Sequence, residues 1–478
     1  MRRLVFLTLS AVLAGCAQFS VDGGMGDVAT GVRQEIGKDV VKISTDEQAA
    51  RAREQVTALL AGPLSAEQAV QIALLNNRTL QAAYNDLGIS EATYVQASLP
   101  PNPALSVLRV AGTGVANFEI RLIEDILNLI TLPRRTAIAA ERFGQARYRA
   151  IEVTLRLAAD TRRAYIRAIA SHQQVQFLEQ TRATADAAAR LIAGIGEAGG
   201  GDQLDQAEIT AFRAELSARV AQAKLRARRD RESFVRLLGL SGTDLDFTLP
   251  ADLPSLPPAL EPQVEVEVAA IKRRVDLEIA RREVTALAKS LSLTEATRYV
   301  SMLQLAGIFN NETANPLTNF DTAINRGGAQ IDLQIPIFDT GEARMRTARE
   351  TYMRALNLLG AKAVDARSEA RIAYDAYRAT YEIARTWRDR VLPLRQVVSK
   401  EIMLRYTNGV LVNEGMRVDV FKYLVDTRVR IAANAAALDA RRDFLLASTD
   451  LQAALTIGGS LAGSGSETGS PGLSSPMQ

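Results

Sequence analysis

Apolar and polar positions recur along this chain at two periods. Helical spacing runs from Arg134 to Ala193 and again from Gly341 to Tyr406. Each stretch predicts a helix, and at 1.5 Å per residue each would reach about 90–100 Å. Pro393 sits near the end of the second and predicts a kink there. Both helices run into glycine-bearing turns, one at residues 194–202 and one within 408–415, and helical patterns return over about Gln203–Leu238 and Met416–Ile457. Two antiparallel helices joined by a short turn form a helical hairpin, so two such hairpins are expected. Leu424, Ile431, Leu438 and Leu445 stand seven residues apart, as do Leu157, Ala164, Ser171 and Leu178. Seven-residue spacing predicts supercoiled helix packing, with small residues allowing close backbone approach. An ordinary intramolecular coiled coil would show the same seams.

Period-two alternation precedes each long helix. Gln330 to Phe338 alternates Ile331, Leu333, Ile335 and Ile337 with polar neighbours. Phe118, Ile120 and Leu122 alternate with Glu119 and Arg121, while Leu105, Val107 and Arg109 lead into Gly112 and Gly114. Arg298 to Phe309 is a fourth, less regular strand. The two halves correspond: Ala164-Tyr165 recurs as Ala373-Tyr374, Gly200 as Gly409, and Asp205 as Asp419. The expected fold is mainly α with a small β part, a duplicated pair of long helical hairpins with four strands per chain.

The boundaries expected are a signal at 1–15, an N-terminal segment at 16–62, a helix at 63–98 and a β-hairpin at 99–132. The first long hairpin covers 133–240 and a Pro-rich linker 241–262. The second half repeats the order with a helix at 263–295, strands at 296–340 and a hairpin at 341–457, before a disordered Gly/Ser tail at 458–478.

Composition narrows the function. Apolar residues make up 47% of the 478, charged residues 23% and aromatics 5%, with a mean hydropathy of −0.01. No stretch of 18 consecutive apolar residues follows the leader, which excludes an inner-membrane helix bundle but not a β-barrel, whose strands score weakly. Lys and Arg number 57 against 54 Asp and Glu, so no strongly basic surface for nucleic acid is expected. A single Cys and a single His exclude a zinc cage, a disulfide framework and a Cys–His catalytic pair. His172 reads as a packed or partly exposed side chain rather than a metal ligand, and no metal or cofactor is expected. Nothing resembles a phosphate-binding Gly loop or a nucleophile elbow, so an enzyme is the weakest reading. The leader has Arg2 and Arg3 before a short apolar run that ends Leu13-Ala14-Gly15-Cys16. This is similar to a bacterial lipoprotein signal, with Cys16 the lipidated residue. Ordinary secretion with Cys16 a bystander is the alternative.

Four strands cannot close a membrane barrel, and open edges in lipid would strand backbone polar groups. Several chains would have to share one barrel. Three would supply twelve strands, with twelve helices beneath them around a channel.

Several motifs in order carry a resemblance. Pro63-Leu64-Ser65-Ala66-Glu67-Gln68 leads to Asn76-Asn77, with Ser65 and Gln68 spaced as a capping box. Pro100-Pro101-Asn102-Pro103 precedes the first strand, Ile335-Pro336-Ile337-Phe338-Asp339-Thr340-Gly341 follows the last, and Arg405-Tyr406, Gly409 and Asp419-Val420-Phe421 mark the second tip. From Pro63 to Ile457 the chain resembles the TolC family of outer-membrane efflux proteins. The resemblance implies a homotrimer in outer-membrane lipid, with a shared twelve-stranded barrel continued by a periplasmic α-helical tunnel. It implies passive conduction, driven by an inner-membrane efflux pump through a periplasmic adaptor (membrane fusion) protein. Asn76-Asn77-Arg78, Ser90-Glu91-Ala92 and Asp125-Ile126-Leu127-Asn128 are closest in wording to a branch linked with heavy-metal resistance; drug efflux is equally compatible.

The same resemblance assigns residues. Gly199, Gly200 and Gly201 in one tip, with Gly409, Val410 and Leu411 in the other, resemble an adaptor-docking groove, although a hairpin turn needs glycine in any case. Asp205 and Asp419 match positions near the periplasmic entrance, where three copies of Asp419 would form an acidic ring, and Arg417 is a candidate partner for Asp205. Two solvated acids near helix starts are the plain alternative. Lys422 departs from many members, in which a second acid is common. Two other functions remain open at this stage: a lipid-anchored periplasmic coiled-coil scaffold and a type I secretion conduit.

Overall fold

The computed structural model describes residues 19–112, 115–197, 203–260, 265–314, 323–408 and 420–458. Short helices α1 (Met25–Ile36), α2 (Asp46–Leu60) and α3 (Ala66–Asn76) come first, followed by α4 (Arg78–Ser98). Strands β1 (Ala104–Gly112) and β2 (Val115–Asp125) lead into the long α5 (Ile126–Glu197) and the returning α6 (Gln203–Leu238). The order then repeats as α7 (Val266–Arg273), α8 (Val275–Ala296), β3 (Leu303–Ala314), β4 (Ala323–Leu333), α9 (Glu342–Thr386), α10 (Leu392–Asn408) and α11 (Val420–Thr456). No described helix is long and apolar enough to cross a membrane.

Local chemistry explains most of these bounds. The capping box at the start of α3 is present: Ser65 Oγ accepts from the Gln68 N–H at 3.2 Å, and Gln68 Oε1 accepts from the Ser65 N–H at 2.9 Å. Duplication shows in the backbone as well. A single extended residue divides α3 from α4 (Asn77, φ −73°, ψ 115°), and another divides α7 from α8 (Arg274, φ −65°, ψ 121°). At the end of α6, Gly239 has φ +68°, and the Leu240 N–H donates to Val235 O at 3.3 Å, closing a Schellman turn.

Several bounds differ from the sequence reading, among them β3, which runs Leu303–Ala314 rather than Arg298–Phe309. The first long helix begins at Ile126 rather than Arg134, because Asp125 accepts from the Asn128 N–H at 3.0 Å and caps it; Pro133 is absorbed inside at the loss of one backbone bond. The second long helix is interrupted by a five-residue π turn, Trp387–Val391, rather than a simple kink. The widened turn lies immediately before Pro393, whose missing N–H removes one rung of the ladder. The last strand ends at Leu333 instead of running through Phe338. Pro336 cannot donate to a ladder, and the true first half of β4 is glycine-bearing and polar, which hid it from an alternation test.

The chain divides into two compact units, one spanning Met1–Gly31, Ala82–Ile151 and Val275–Ala363, the other Val32–Gln81, Glu152–Arg274 and Val364–Gln478. In the first unit Tyr94 stacks on Phe143, with ring centroids 5.7 Å apart. Glu141 joins Lys289 at 2.8 Å and Arg282 at 3.2 Å. The Lys289 hydrogen bond is the main cause of a Glu141 carboxyl held below its ordinary range. A depressed carboxyl stabilises the fold above the unfolded-chain value and loses that contribution as pH falls through its own lower value. Thermal unfolding followed from pH 7 down through the carboxylate range should therefore show a fall in midpoint that is shallower in Glu141→Gln. Parallel curves would remove the cluster from the acid response.

In the second unit, Leu64, Ile72, Tyr165, Ile169, Phe234, Leu238 and Phe247 form one core, and the Tyr165 hydroxyl donates to Leu64 O at 2.9 Å. A further cluster unites Leu178, Phe212 and Leu216 with Leu424 and Ile431. Both seven-residue seams thus contribute buried positions. Ala366, Ala370 and Ala373 of α9 are fully or almost fully buried, which fits close helix packing. Trp387 packs beside Tyr381 and Phe444, whereas His172 is exposed.

Candidate channel-forming surfaces

The four strands make one antiparallel sheet in the order β1-β2-β3-β4, so the hairpins of the two halves are joined directly through β2 and β3. Residues that pair across strands share a face. One face carries Leu105, Val107, Phe118, Ile120, Leu122, Leu305, Phe309, Ile331 and Leu333. These are not core residues. Leu105 is 67% exposed and Ile331 69%. Charges on this face fall near its ends: Arg109 lies in the row Arg109–Phe118–Asn311–Asn325, and Glu124 pairs with Leu305. Along β2, Phe118 and Glu124 are about 20 Å apart, comparable with the apolar band of outer-membrane barrels.

The other face is mostly polar. It carries Ser106, Asn117, Glu119, Arg121, Asn310, Glu312, Arg326, Gln330 and Asp332, with Leu108, Val110, Ile123, Ile308 and Ile324 among them. Glu119 pairs with Arg121, and Glu312 with Arg326 at 3.1 Å. The side-chain oxygens of Asn117 and Asn310 are shielded and accept no hydrogen bond from the protein. β1 and β4 each leave one edge without a strand partner among the described residues. An exposed apolar face flanked by two open edges is unstable in water and unsatisfied in lipid until further strands are added.

Most of the residues singled out from sequence fall outside the described residues. Cys16, Gly199, Gly200, Gly201, Gly409, Val410, Leu411, Arg417 and Asp419 are outside the described residues. Asp205 falls in the first turn of α6, with its side chain outside the described set. The structure adds buried charges that spacing did not single out, Arg274 among them. Arg274, only 2% exposed, donates to Glu369 at 2.6 Å, and its position at the break between α7 and α8 ties that break to α9. Arg274 takes the place in the second half that Asn77 takes in the first, where Asn77 instead donates to Leu237 O at 2.9 Å.

No protein-family model matches the chain, and no curated protein matches it. Solved structures do. A membrane protein from Pseudomonas aeruginosa superposes with a TM-score of 0.69 at 20% identity, covering 82% of this chain and 93% of that one. The CmeC outer-membrane channel of Campylobacter jejuni gives 0.67 at 14% identity, covering 92% and 93%. The open state of the MtrE outer-membrane channel of Neisseria gonorrhoeae gives 0.64 at 17% identity, covering 82% and 88%. The fold is that of an outer-membrane channel chain. Long helical hairpins with one four-stranded antiparallel sheet are what the resemblance to the TolC family implied for a single chain.

Proposed function

We propose that the chain is one subunit of an outer-membrane exit duct that passively conducts solutes out of the periplasm. Three copies would place four strands each in one barrel, apolar face outward and polar face lining water. The helical hairpins would continue the duct into the periplasm. The observation that supports this most directly is the four-stranded sheet with an exposed apolar face and two open edges, which a periplasmic coiled-coil scaffold does not need.

The finer assignments follow the same reading. Cys16 carries the lipid anchor. Gly199–Gly201 and Gly409–Leu411 form the tips that receive a periplasmic adaptor, itself coupled to an inner-membrane pump. Asp205, Arg417 and Asp419 form the entrance gate, and the exported solutes are metal ions or drugs. The protein extracted in mild detergent should migrate as a heat-modifiable trimer and form conducting channels in planar bilayers. Asp419→Ala should raise single-channel conductance or weaken block by cations. A strictly monomeric, non-conducting product would end the proposal, and unchanged currents in the variant would remove Asp419 from the gate alone.

A further inference from the structure

A cleft of about 690 Å³ opens in the second unit between α5, α6 and the segment Phe247–Leu249. Its apolar lining comes from Val175, Ala227, Phe247 and Leu249. Four cationic or protonatable side chains share the lining, Lys224, Arg228, Arg231 and His172, and no carboxylate does. That is unusual for this chain, in which acids and bases are nearly balanced.

The cations differ in how they are held. Arg231 is pinned: one of its terminal nitrogens donates to Leu245 O at 2.8 Å and Phe247 O at 3.1 Å, and its guanidinium sits 4.2 Å over the Phe247 ring. It is fixed by neutral carbonyls and a ring face, so its full positive charge remains. Lys224 is bound to Glu179 at 2.6 Å, outside the cleft lining. Arg228 is exposed and has no carboxylate partner among the described residues. The cleft thus offers an apolar wall beside one pre-oriented and one free guanidinium, within the usual size range of small-molecule sites.

We propose that this cleft binds an amphiphilic organic anion, a flat apolar body bearing one carboxylate or sulfonate. The body would bury against Phe247, Leu249 and Val175, and the anionic group would lie between Arg228 and Arg231. A cation would meet like charge, and an inorganic anion would leave the wall wet. The site does not depend on the channel reading.

The test uses full-length protein in neutral-lipid nanodiscs, titrated with anilinonaphthalene sulfonate, with the signal of empty discs subtracted. Saturable binding at one probe per chain is expected. Arg228→Glu should weaken it by about tenfold or more, the scale of one charge-assisted contact. Ala227→Trp should fill the cleft and remove the saturable component, while the uncharged phenylnaphthylamine should not displace the probe. Because Arg228 is exposed, its variant should keep wild-type helicity by circular dichroism, and it decides the matter even if Ala227→Trp fails to fold. No saturable component, or equal affinity in Arg228→Glu, would overturn the site. Conductance of the same preparations reads the channel function separately.

Discussion

Gly239→Ala is expected to destabilise the second unit by about 2–4 kcal/mol, combining a left-handed backbone penalty with overpacking. Gly239 has φ +68°, and a Cβ built there would lie 2.8 Å from Asn76 O and 3.2 Å from Asn76 C. Those atoms are backbone and cannot swing aside. The same junction is bonded from the other direction, since Asn76 Nδ2 donates to Gly239 O at 2.7 Å and to Leu238 O at 3.2 Å. Moving the turn to admit a methyl group would strain both bonds. Gly242 provides the control. Its φ is +65°, yet a Cβ there meets nothing within 4 Å. Gly242→Ala should therefore cost only the backbone part, about 1–2 kcal/mol. Denaturant or thermal midpoints of the two variants separate the contributions. Equal losses would mean that the close approach of Asn76 and Gly239 is not rigid.

On the proposed duct, Phe309→Arg should cost about 2–4 kcal/mol in the membrane and deplete assembled protein in the outer membrane, the effect of a charge placed midway on a strand that meets lipid. Phe309 is 46% exposed and pairs with Ile120 and Gly327 in the middle of the apolar face. Gln304→Arg places the same charge on the opposite face. Gln304 pairs with Asp125 on one side and Asp332 on the other, so an arginine there gains carboxylate neighbours and should assemble normally. The readout is the fraction of heat-modifiable protein recovered from outer membranes. Normal assembly of Phe309→Arg together with failure of Gln304→Arg would show that the two faces have been assigned the wrong way round.

Much of this architecture could be read locally. The Ser65–Gln68 cap, the return helix from Gln203 to Leu238 and the buried seam through Ala164, Ser171 and Leu178 each depend on residues close in sequence, and each is present. The errors also have local causes. Polar and glycine residues masked the first half of β4, and the helical pattern read from Arg134 missed the earlier start at Ile126 that the Asp125 cap sets. The proposed docking and gate residues rest on the resemblance and on turn chemistry alone.

By itself the sequence determined the helices, the strand-bearing segments, the duplication and the shortage of strands in one chain, because periodicity and capping act over a few residues. Only the tertiary structure decided that β2 pairs with β3 in one sheet, that its apolar residues share an exposed face, that Asn76 closes on Gly239, and that Arg274 reaches Glu369. These contacts join residues far apart in the chain. Strand register and the partners of buried groups are chosen by which faces and side chains meet, and no local pattern encodes that choice.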